Sequence, residues 1–226
     1  MNILKRNKKI AVNRWGKIHK KEIQFIKNDK ESKLIRAAIC GFLAGDGSIQ
    51  IRKVKSHFRY DIDFFPDDKR MLQTYLRMIA KVYGKRPITR KRHKFYAVRF
   101  TSRTLVNDLL KYCNFGIKTW TLPEKLFSIK GAKEEWLRAF YSAEGYVNNN
   151  AIRIQSVNKL GILNISSLLK EKNISHGLYE YTPKNSNHSS VGILIISKKA
   201  DRLKFYDTIG FYHKKKEVIL KKTLDL

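Results

Sequence analysis

The sequence predicts an α+β protein made of two pseudo-symmetric halves, each with the element order αββαββα. Three observations lead to this prediction: apolar spacing alternates between helical and strand periods, the same order of elements occurs twice, and a short motif recurs in both halves. The chain has 226 residues, a length that accommodates two halves of about 100 residues, each large enough to bury a core.

The first predicted half spans residues 31–128 and follows a basic N-terminal extension over 1–30, for which no regular element is predicted. Ser32 is a suitable N-cap for a helix whose apolar positions recur until Gly45. Two alternating segments, a helix, two further strands and a helix are predicted next, over residues 48–52, 59–64, 66–84, 88–92, 95–101 and 105–110.

The second predicted half spans residues 129–226 and repeats this order. Its elements are predicted over residues 136–145, 146–148, 151–157, 160–169, 177–182, 191–197 and 203–209. Two anchors at nearly one spacing favour a duplicated unit, because residues 41–47 match 139–145 and residues 115–118 match 211–214. The second anchor predicts that Lys118 and Lys214 are equivalent.

The charge of the chain bounds its partner. Lys and Arg number 48 against 19 Asp and Glu, which gives a formal net charge of +29. An acidic small molecule would not require so much charge, whereas each cation that meets a nucleic-acid phosphate releases counterions. The 42% hydrophobic content argues against a disordered basic tail. We therefore expect a folded nucleic-acid-binding protein whose extension over 1–30 adds sequence-independent phosphate contacts.

The compartment is predicted from cysteine usage and apolar runs. Cys40 and Cys113 are far apart and form no CxxC pair, so each is interpreted as a small buried hydrophobe rather than as part of a disulfide or zinc site. No apolar run approaches the length of a membrane span, and the chain starts without a signal-peptide pattern. We expect an intracellular protein of the cytoplasm, nucleoid or organelle matrix that is not secreted.

Two carboxylates follow the repeated helices. Small residues four positions apart predict that these helices pack almost backbone to backbone, at Gly41 and Gly45 in the first and at Ala139 and Ala143 in the second. Asp46 and Glu144 would then lie together at negative helix ends and repel each other. A divalent cation relieves that repulsion, and oxygen ligands suit Mg²⁺. The alternative is a pair of ordinary turns.

These segments resemble the LAGLIDADG motif of homing endonucleases, specifically the monomeric type with two motifs in one chain. The copies are ICGFLAGDG at residues 39–47 and LRAFYSAEG at 137–145. The resemblance implies that the motif helices join two αββαββα halves and that two four-stranded sheets form a β-saddle for DNA. It also implies that Asp46 and Glu144 bind the catalytic metal. The copies depart from the pattern at Ala44, Ala139 and Ser142.

Strand alternation within the implied saddle predicts which side chains face the major groove. In the first half these are Ser48, Gln50, Arg52, Arg59, Asp61, Asp63, Thr89, Lys91 and Arg99. In the second half they are Tyr146, Asn148, Asn150, Arg153 and Gln155. The phase around Tyr179 and Tyr181 stays open. For each residue the alternative is a solvated sheet face.

The resemblance further implies a basic residue near the scissile phosphates and polar groups that order water. Lys118 and Lys214 are the candidates for the first role, with phosphate anchoring as the alternative, and Gln155 is the candidate for the second. Phe65 and Pro66 stand where the family commonly has Gln or Lys. His213 has no histidine partner at metal spacing and is interpreted as a surface residue rather than a general base.

The resulting hypothesis is a monomeric, site-specific DNA endonuclease of the intron or intein homing type. It would hydrolyse phosphodiesters in both strands of a long, non-palindromic site with Mg²⁺, and Ca²⁺ would bind without supporting cleavage. The alternatives are an RNA maturase that acts on intron RNA and a non-cleaving DNA-binding protein of the same fold. The presence of both acids favours the enzyme, whereas the Phe65–Pro66 departure favours the alternatives.

Overall fold

The computed structural model describes residues 3–183 and 189–226, and for residues 3–12 and 15 it describes the backbone alone. The first part of the chain contains α1 (Ile3–Phe25), α2 (Lys30–Asp46), β1 (Gly47–Val54), β2 (His57–Phe64), α3 (Lys69–Tyr83), β3 (Ile88–Arg92), β4 (Phe95–Thr101), α4 (Arg103–Leu109) and α5 (Glu124–Phe127). The second part contains α6 (Ala132–Glu144), β5 (Tyr146–Val147), β6 (Ile152–Ser156), α7 (Lys159–Glu171), β7 (Gly177–Tyr181), β8 (Val191–Ile196), α8 (Lys199–Thr208) and α9 (Lys214–Leu224).

The αββαββα order is confirmed in both halves. Each half has a four-stranded antiparallel sheet, with strand orders β1-β2-β4-β3 and β5-β6-β8-β7. The first hairpin pairs over eight residues of each strand, whereas β5 has two residues, so the halves are unequal, as the sequence predicted. The short helix α5 and the C-terminal helix α9 were not predicted.

The N-terminal extension, for which no element was predicted, forms helix α1. Side-chain contacts fix its C-terminal end to the first half. His19 Nδ1 lies 2.6 Å from Thr104 Oγ1, Glu22 accepts a hydrogen bond from Ser102 Oγ at 2.9 Å, and Phe25 packs against the turn that ends α3. These contacts are to residues distant in sequence, so the local pattern of residues 1–30 could not reveal them.

One hydrophobic core runs through both halves, with α2 and α6 at its centre. Trp136 and Phe140 of α6 stack with ring centroids 5.0 Å apart, and Phe64 packs on Tyr75 at 4.4 Å. Burying an aromatic side chain of this kind contributes about 1.5–3 kcal/mol. The two motif helices are therefore held in the core, and they supply a rigid support for the residues at their ends.

A buried ion pair ties α2 to α4 at a distance from the motif end. Arg36 is fully buried, and its Nε lies 2.7 Å from Asp108 Oδ2. Asp108 also accepts from the hydroxyl of Tyr83 at 2.9 Å, and Arg36 Nη2 donates to the carbonyl of Lys27 at 2.7 Å. A buried charge needs such partners because desolvation is costly. The network fixes the start of α2 relative to α3, α4 and the segment after α1.

The cysteines agree with their predicted role. Cys40 and Cys113 are both free thiols and both buried in the core. Within the part of the chain that the structure describes, no helix combines the length and apolar character needed to cross a membrane.

Candidate functional site

Helices α2 and α6 pack backbone to backbone at their small residues. A Cβ added at Gly41 would lie 2.4 Å from the carbonyl oxygen of Trp136 and 3.0 Å from the Cβ of Ala139. A Cβ added at Gly45 would lie 2.5 Å from the Cβ of Ala143. Real Cβ atoms do not approach other atoms so closely, so neither glycine has room for a side chain. The close approach predicted from the sequence is confirmed.

This packing brings the last residues of both helices together. Asp46 ends α2 and Glu144 ends α6. A Cβ at Gly45, the residue before Asp46, would lie 3.2 Å from Cγ of Glu144. The two acids singled out in the sequence are therefore neighbours at the interface of the halves, where the first strand of each sheet begins.

The environment of these acids opposes their ionisation. Burial, and then repulsion from Glu144, raises the pKa of Asp46 to about 7. Burial also raises the pKa of Glu144, although part of that side chain remains exposed. Both carboxylates stand at the negative ends of helix dipoles. A cation held beside them would relieve this unfavourable concentration of negative charge.

A lysine that the sequence analysis did not select lies beside both acids. Lys216 of α9 donates from Nζ to the carbonyl oxygens of Ser142 at 2.6 Å and Ala143 at 2.8 Å, at the C-terminal end of α6. Its positive charge partly counteracts the raised pKa values of Asp46 and Glu144, and burial lowers its own pKa. Three consecutive lysines begin α9, so the sequence alone does not reveal which one turns inward.

The predicted equivalence of Lys118 and Lys214 is wrong. Trp120 packs on an aromatic ring of α6 with centroids 5.0 Å apart, and Tyr212 packs in the same way on α2 at 5.4 Å. These matching contacts align Trp120 with Tyr212. Lys118 lies before Trp120 in the sequence, whereas Lys214 lies after Tyr212, so the two lysines are not equivalent. Lys118 is exposed in the turn between α4 and α5, and Lys214 is the exposed first residue of α9.

His213 is buried, contrary to the expected surface position. Its Nδ1 accepts from the backbone N–H of Lys216 at 3.4 Å and so caps α9, while Nε2 lies 3.1 Å from Oδ1 of Asp67. The hydrogen bond with His213 lowers the pKa of Asp67. Because Asp67 belongs to the first half and His213 to the second, this contact joins the halves close to Asp46, whose pKa the charge of Asp67 raises further.

The residues that face the two acids differ between the halves. The N–H of Phe65 donates to the carbonyl of Asp46 at 3.0 Å, so Phe65 continues β2 opposite that acid. In the second half, continuing the register of β5 and β6 past the start of β5 puts Gln155 opposite Glu144. A polar side chain therefore accompanies Glu144 and an aromatic one accompanies Asp46.

The donor set suits one particular kind of cation. Across residues 3–183 and 189–226, no three His, Cys, Asp or Glu side chains are grouped to hold a metal. Mg²⁺ commonly binds through one or two carboxylates and completes its shell with water and substrate phosphate oxygens. The paired oxygen donors of Asp46 and Glu144 fit that ion, whereas they provide none of the nitrogen or sulfur ligands typical of zinc.

Strand register identifies the outer face of the first sheet, the face that points away from the core. Arg52 pairs with Arg59 on β2, and Arg99 pairs with Asp63 on β2 and with Ile88 on β3. Arg59 and Asp63 lie on the same side of β2 by alternation, so all these side chains share a face. The same face carries Ser48, Gln50, Asp61, Asp63, Arg90, Arg92, Phe95, Ala97 and Thr101. Several of these side chains and Phe65 line a groove of about 330 Å³.

The prediction that Thr89 and Lys91 lie on the outer face is wrong. Thr89 pairs with Val98, which is fully buried on the inner face, and Lys91 shares that side by alternation. All five residues of the edge strand β3 are exposed, so no buried position reveals its phase in the sequence. Arg90 and Arg92 take the outer positions instead.

Asp61 and Asp63 lie on the outer face beneath arginines. Oxygens of Asp61 lie 2.5 Å from Arg52 Nη2 and 2.7 Å from Arg59 Nε. Arg99 binds Asp63 through two hydrogen bonds of 2.6 and 2.9 Å. Burial alone would raise the pKa of Asp61, but hydrogen bonds led by those from the arginines lower it to about 2. Both carboxylates therefore orient arginines rather than present free acceptors.

The outer face of the second sheet has a different chemistry. Its register pairs Tyr146 with Arg153, and Gln155 with Ile193, which in turn pairs with Tyr179. The face also carries Gly177, Tyr181, Val191 and Ile195. The open phase around Tyr179 and Tyr181 is thereby resolved.

Asn148 and Asn150 lie in the exposed turn between β5 and β6. The side-chain oxygen of Asn148 accepts from the N–H groups of Asn150 at 2.9 Å and Ala151 at 2.8 Å. Asn148 therefore stabilises the turn.

Comparison with known proteins supports this description. The family described as "LAGLIDADG-like domain" matches residues 132–210, which include α6 and most of the second half. Among curated proteins, no significant sequence match was found.

Solved structures match both halves. Mesophilic variants of the homing endonuclease I-DmoI align with a TM-score of 0.64 and 20% identity, over 79% of this chain and 96% of that chain. I-DmoI in complex with DNA and Mn aligns with a TM-score of 0.61 and 19% identity, over 79% of this chain and 97% of that chain. Full-length DUF199/WhiA from Thermatoga maritima aligns with a TM-score of 0.52 and 16% identity, over 86% of this chain and 60% of that chain.

The fold and the joined acidic helix ends define a two-motif protein in which each half contributes one motif helix. Residues 132–210 match the LAGLIDADG-like domain family by sequence, and both halves have the fold of I-DmoI.

Proposed function

We propose that this chain is a site-specific DNA endonuclease that cuts both strands of a long, asymmetric duplex with Mg²⁺. The observation that carries the proposal is the meeting of Asp46 and Glu144 at the ends of two closely packed helices. Asp46 directly precedes β1, and Glu144 precedes β5 by one intervening residue, so a duplex lying across both sheets would pass over the pair. Structures of I-DmoI with DNA and Mn, Mg or Ca support this reading.

The residues of the site divide the chemistry among them. Asp46 and Glu144 would hold the metal, which supplies Lewis-acid activation of water and stabilises the leaving oxygen. Lys216 provides a fixed positive charge beside both carboxylates and beside developing phosphate charge. Gln155, opposite Glu144, is suited to orient a water molecule. Lys118 and Lys214 are exposed and suit phosphate anchoring better than chemistry.

The target is expected to be a duplex without internal symmetry. The two outer faces carry different side chains at equivalent strands, so they would contact different base sequences. Both acids come from one chain, and a monomer is therefore sufficient. A duplex is favoured over intron RNA because relatives of this fold have been solved with DNA.

The basic helix α1 is expected to add contacts outside the central site. Its sequence includes Lys5, Arg6, Lys8, Lys9, Arg14, Lys17, Lys20 and Lys21. Phosphate contacts of this kind raise affinity without reading sequence, so removing α1 should weaken binding most at low salt.

The proposal is tested by selection from a randomised duplex library in Ca²⁺, followed by Mg²⁺ and sequencing of the ends. We expect one long enriched site that remains intact in Ca²⁺ and is cut in both strands after Mg²⁺ is added. No enrichment would contradict DNA recognition.

A second candidate, a non-cleaving DNA-binding protein of the same fold, is favoured by one observation. Phe65 occupies the position opposite Asp46 that Gln155 holds opposite Glu144, so water near Asp46 lacks that polar support. A discrete site that is bound but never cut would favour this candidate.

Lys216→Met should slow single-turnover cleavage by about 10- to 100-fold, since it removes a preorganised cation from the site. Lys215→Met is the matched control, because Lys215 is exposed one residue earlier. Equal rates for the two variants would contradict the assignment.

Arg90→Ala should weaken binding of the selected site by about tenfold or more and relax base preference at one position, as expected for a base-reading arginine. Lys91→Ala is matched in charge, exposure and strand but lies on the opposite face. Equilibrium binding on single-base variants of the site distinguishes them. A larger effect from Lys91→Ala would contradict the outer face as the DNA surface.

A further inference from the structure

The outer faces of the two sheets differ in the groups they offer to a duplex. The first sheet presents Arg52, Arg59, Arg90, Arg92 and Arg99. On the described strands of the second sheet, Arg153 is the one charged outer side chain, and the rest of the face is mainly aromatic or aliphatic. Equivalent surfaces of one fold therefore have different recognition chemistry.

The arginines of the first sheet are held ready to read bases. Arg52, Arg59 and Arg99 remain 56%, 47% and 62% exposed while they are anchored on buried Asp61 and Asp63. Anchoring reduces the side-chain freedom lost on binding. A guanidinium group pairs bidentately with the O6 and N7 acceptors of guanine, which is the commonest specific contact in the major groove.

The second sheet presents apolar area that water does not favour. Tyr146, Tyr179 and Tyr181 are 61%, 58% and 56% exposed. Tyr179 and Tyr181 lie beside the partly buried Ile193 and Val191 of β8, whereas Tyr146 lies on the far side of β6 next to Arg153. A contiguous exposed apolar surface of this kind marks an interaction site. The major groove offers one apolar group on its base edges, the C5 methyl of thymine.

We propose that the two half-sites of the target differ in composition: the first sheet reads a guanine-rich half-site through arginine, and the second reads a thymine-rich half-site through methyl contacts. This inference rests on the proposed binding of a duplex across both sheets. It adds the base class that each half recognises. The occupant is DNA because the apolar face occupies the same position in its half as the arginine face in the other.

The experiment uses chemically altered versions of the site selected from the random library. Deoxyuridine in place of thymidine removes the methyl group and keeps the hydrogen bonds, and 7-deazaguanine removes the N7 acceptor. The orientation of the protein on the site is determined beforehand from the DNA positions cleaved by an iron chelate attached to Ser56→Cys, in the β1–β2 turn. The native cysteines are both buried and should not react.

We expect deoxyuridine under the second sheet to weaken binding about fourfold for each contacted methyl, and deoxyuridine under the first sheet to have little effect. 7-Deazaguanine should weaken binding only under the first sheet, by about tenfold. Tyr179→Ala should remove the deoxyuridine effect, whereas Leu178→Ala, on the opposite face of β7, should retain it.

Half-sites of equal composition, or deoxyuridine effects that are absent or equal under both sheets, would overturn the inference while leaving DNA binding and cleavage intact. Failure of the library to yield any site would instead overturn the proposed function on which it rests. Retention of DNA affinity in Tyr179→Ala with an unchanged deoxyuridine effect would assign the apolar face to another partner, such as a protein.

Discussion

Asp46→Asn and Glu144→Gln should each reduce cleavage of both strands by about a thousandfold or more, while the affinity for the selected site in Ca²⁺-free buffer changes little. Either amide removes a negative oxygen from a site with two carboxylate donors, and metal stabilisation of transition-state charge amounts to several kcal/mol. Single-turnover cleavage with saturating Mg²⁺, followed on each strand, measures the effect.

Asp46→Asn should also stabilise the metal-free protein. The folded pKa of Asp46 is about 7 against an ordinary value of 3.8. A carboxyl group with a raised folded pKa favours folding most below its unfolded pKa, and this contribution is lost as the pH rises towards the folded value. Asparagine resembles the protonated form, so Asp46→Asn should melt at a higher temperature than wild type at pH 8 in EDTA and equally below about pH 4.

Asp67→Asn is a control of opposite sign. Hydrogen bonding with His213 lowers the pKa of Asp67, so this carboxylate stabilises the fold at neutral pH and the contribution is lost as the pH falls through the lowered pKa. The variant should therefore melt at a lower temperature near neutral pH. Cleavage by Asp46→Asn at the wild-type rate would exclude a metal-binding role for Asp46. A loss of stability in Asp46→Asn as well as in Asp67→Asn would contradict the electrostatic description.

The sequence was sufficient where local spacing determines structure. The bounds of β3 and β4, Ile88–Arg92 and Phe95–Thr101, agree with the predicted strands. Gly41 and Gly45 indicated a close helix contact because small residues at that spacing leave one face without side chains. Duplication of that pattern then predicted that Asp46 and Glu144 meet.

The sequence was insufficient where contacts between distant elements decide. Among the three lysines that begin α9, Lys216 turns inward because it donates to a carbonyl oxygen at the end of α6. His213 contacts Asp67 of the other half, which the local sequence does not indicate. The phase of β3 depends on pairing with β4, because an edge strand with five exposed residues has no apolar alternation to read. The equivalence of Lys118 and Lys214 was not met, because a short sequence match does not establish equivalent packing.

Gly41→Ala should destabilise the protein by about 1–3 kcal/mol, because its Cβ would lie 2.4 Å from the carbonyl oxygen of Trp136. In a chain of this size that loss lowers the midpoint of thermal unfolding by about 2–4 °C per kcal/mol. Gly16→Ala is the matched control in α1, where nothing lies within 4 Å of the added Cβ. Alanine there should stabilise the helix by about 0.5–1 kcal/mol.

Second-site changes distinguish the two glycine contacts. At Gly45 the first atom met is the Cβ of Ala143, at 2.5 Å, so Ala143→Gly should restore most of the stability lost in Gly45→Ala. At Gly41 the first atom met belongs to the backbone, so Ala139→Gly should not rescue Gly41→Ala. A double-mutant cycle measures both couplings. Rescue at Gly41, or its absence at Gly45, would contradict the helix contact that brings Asp46 to Glu144.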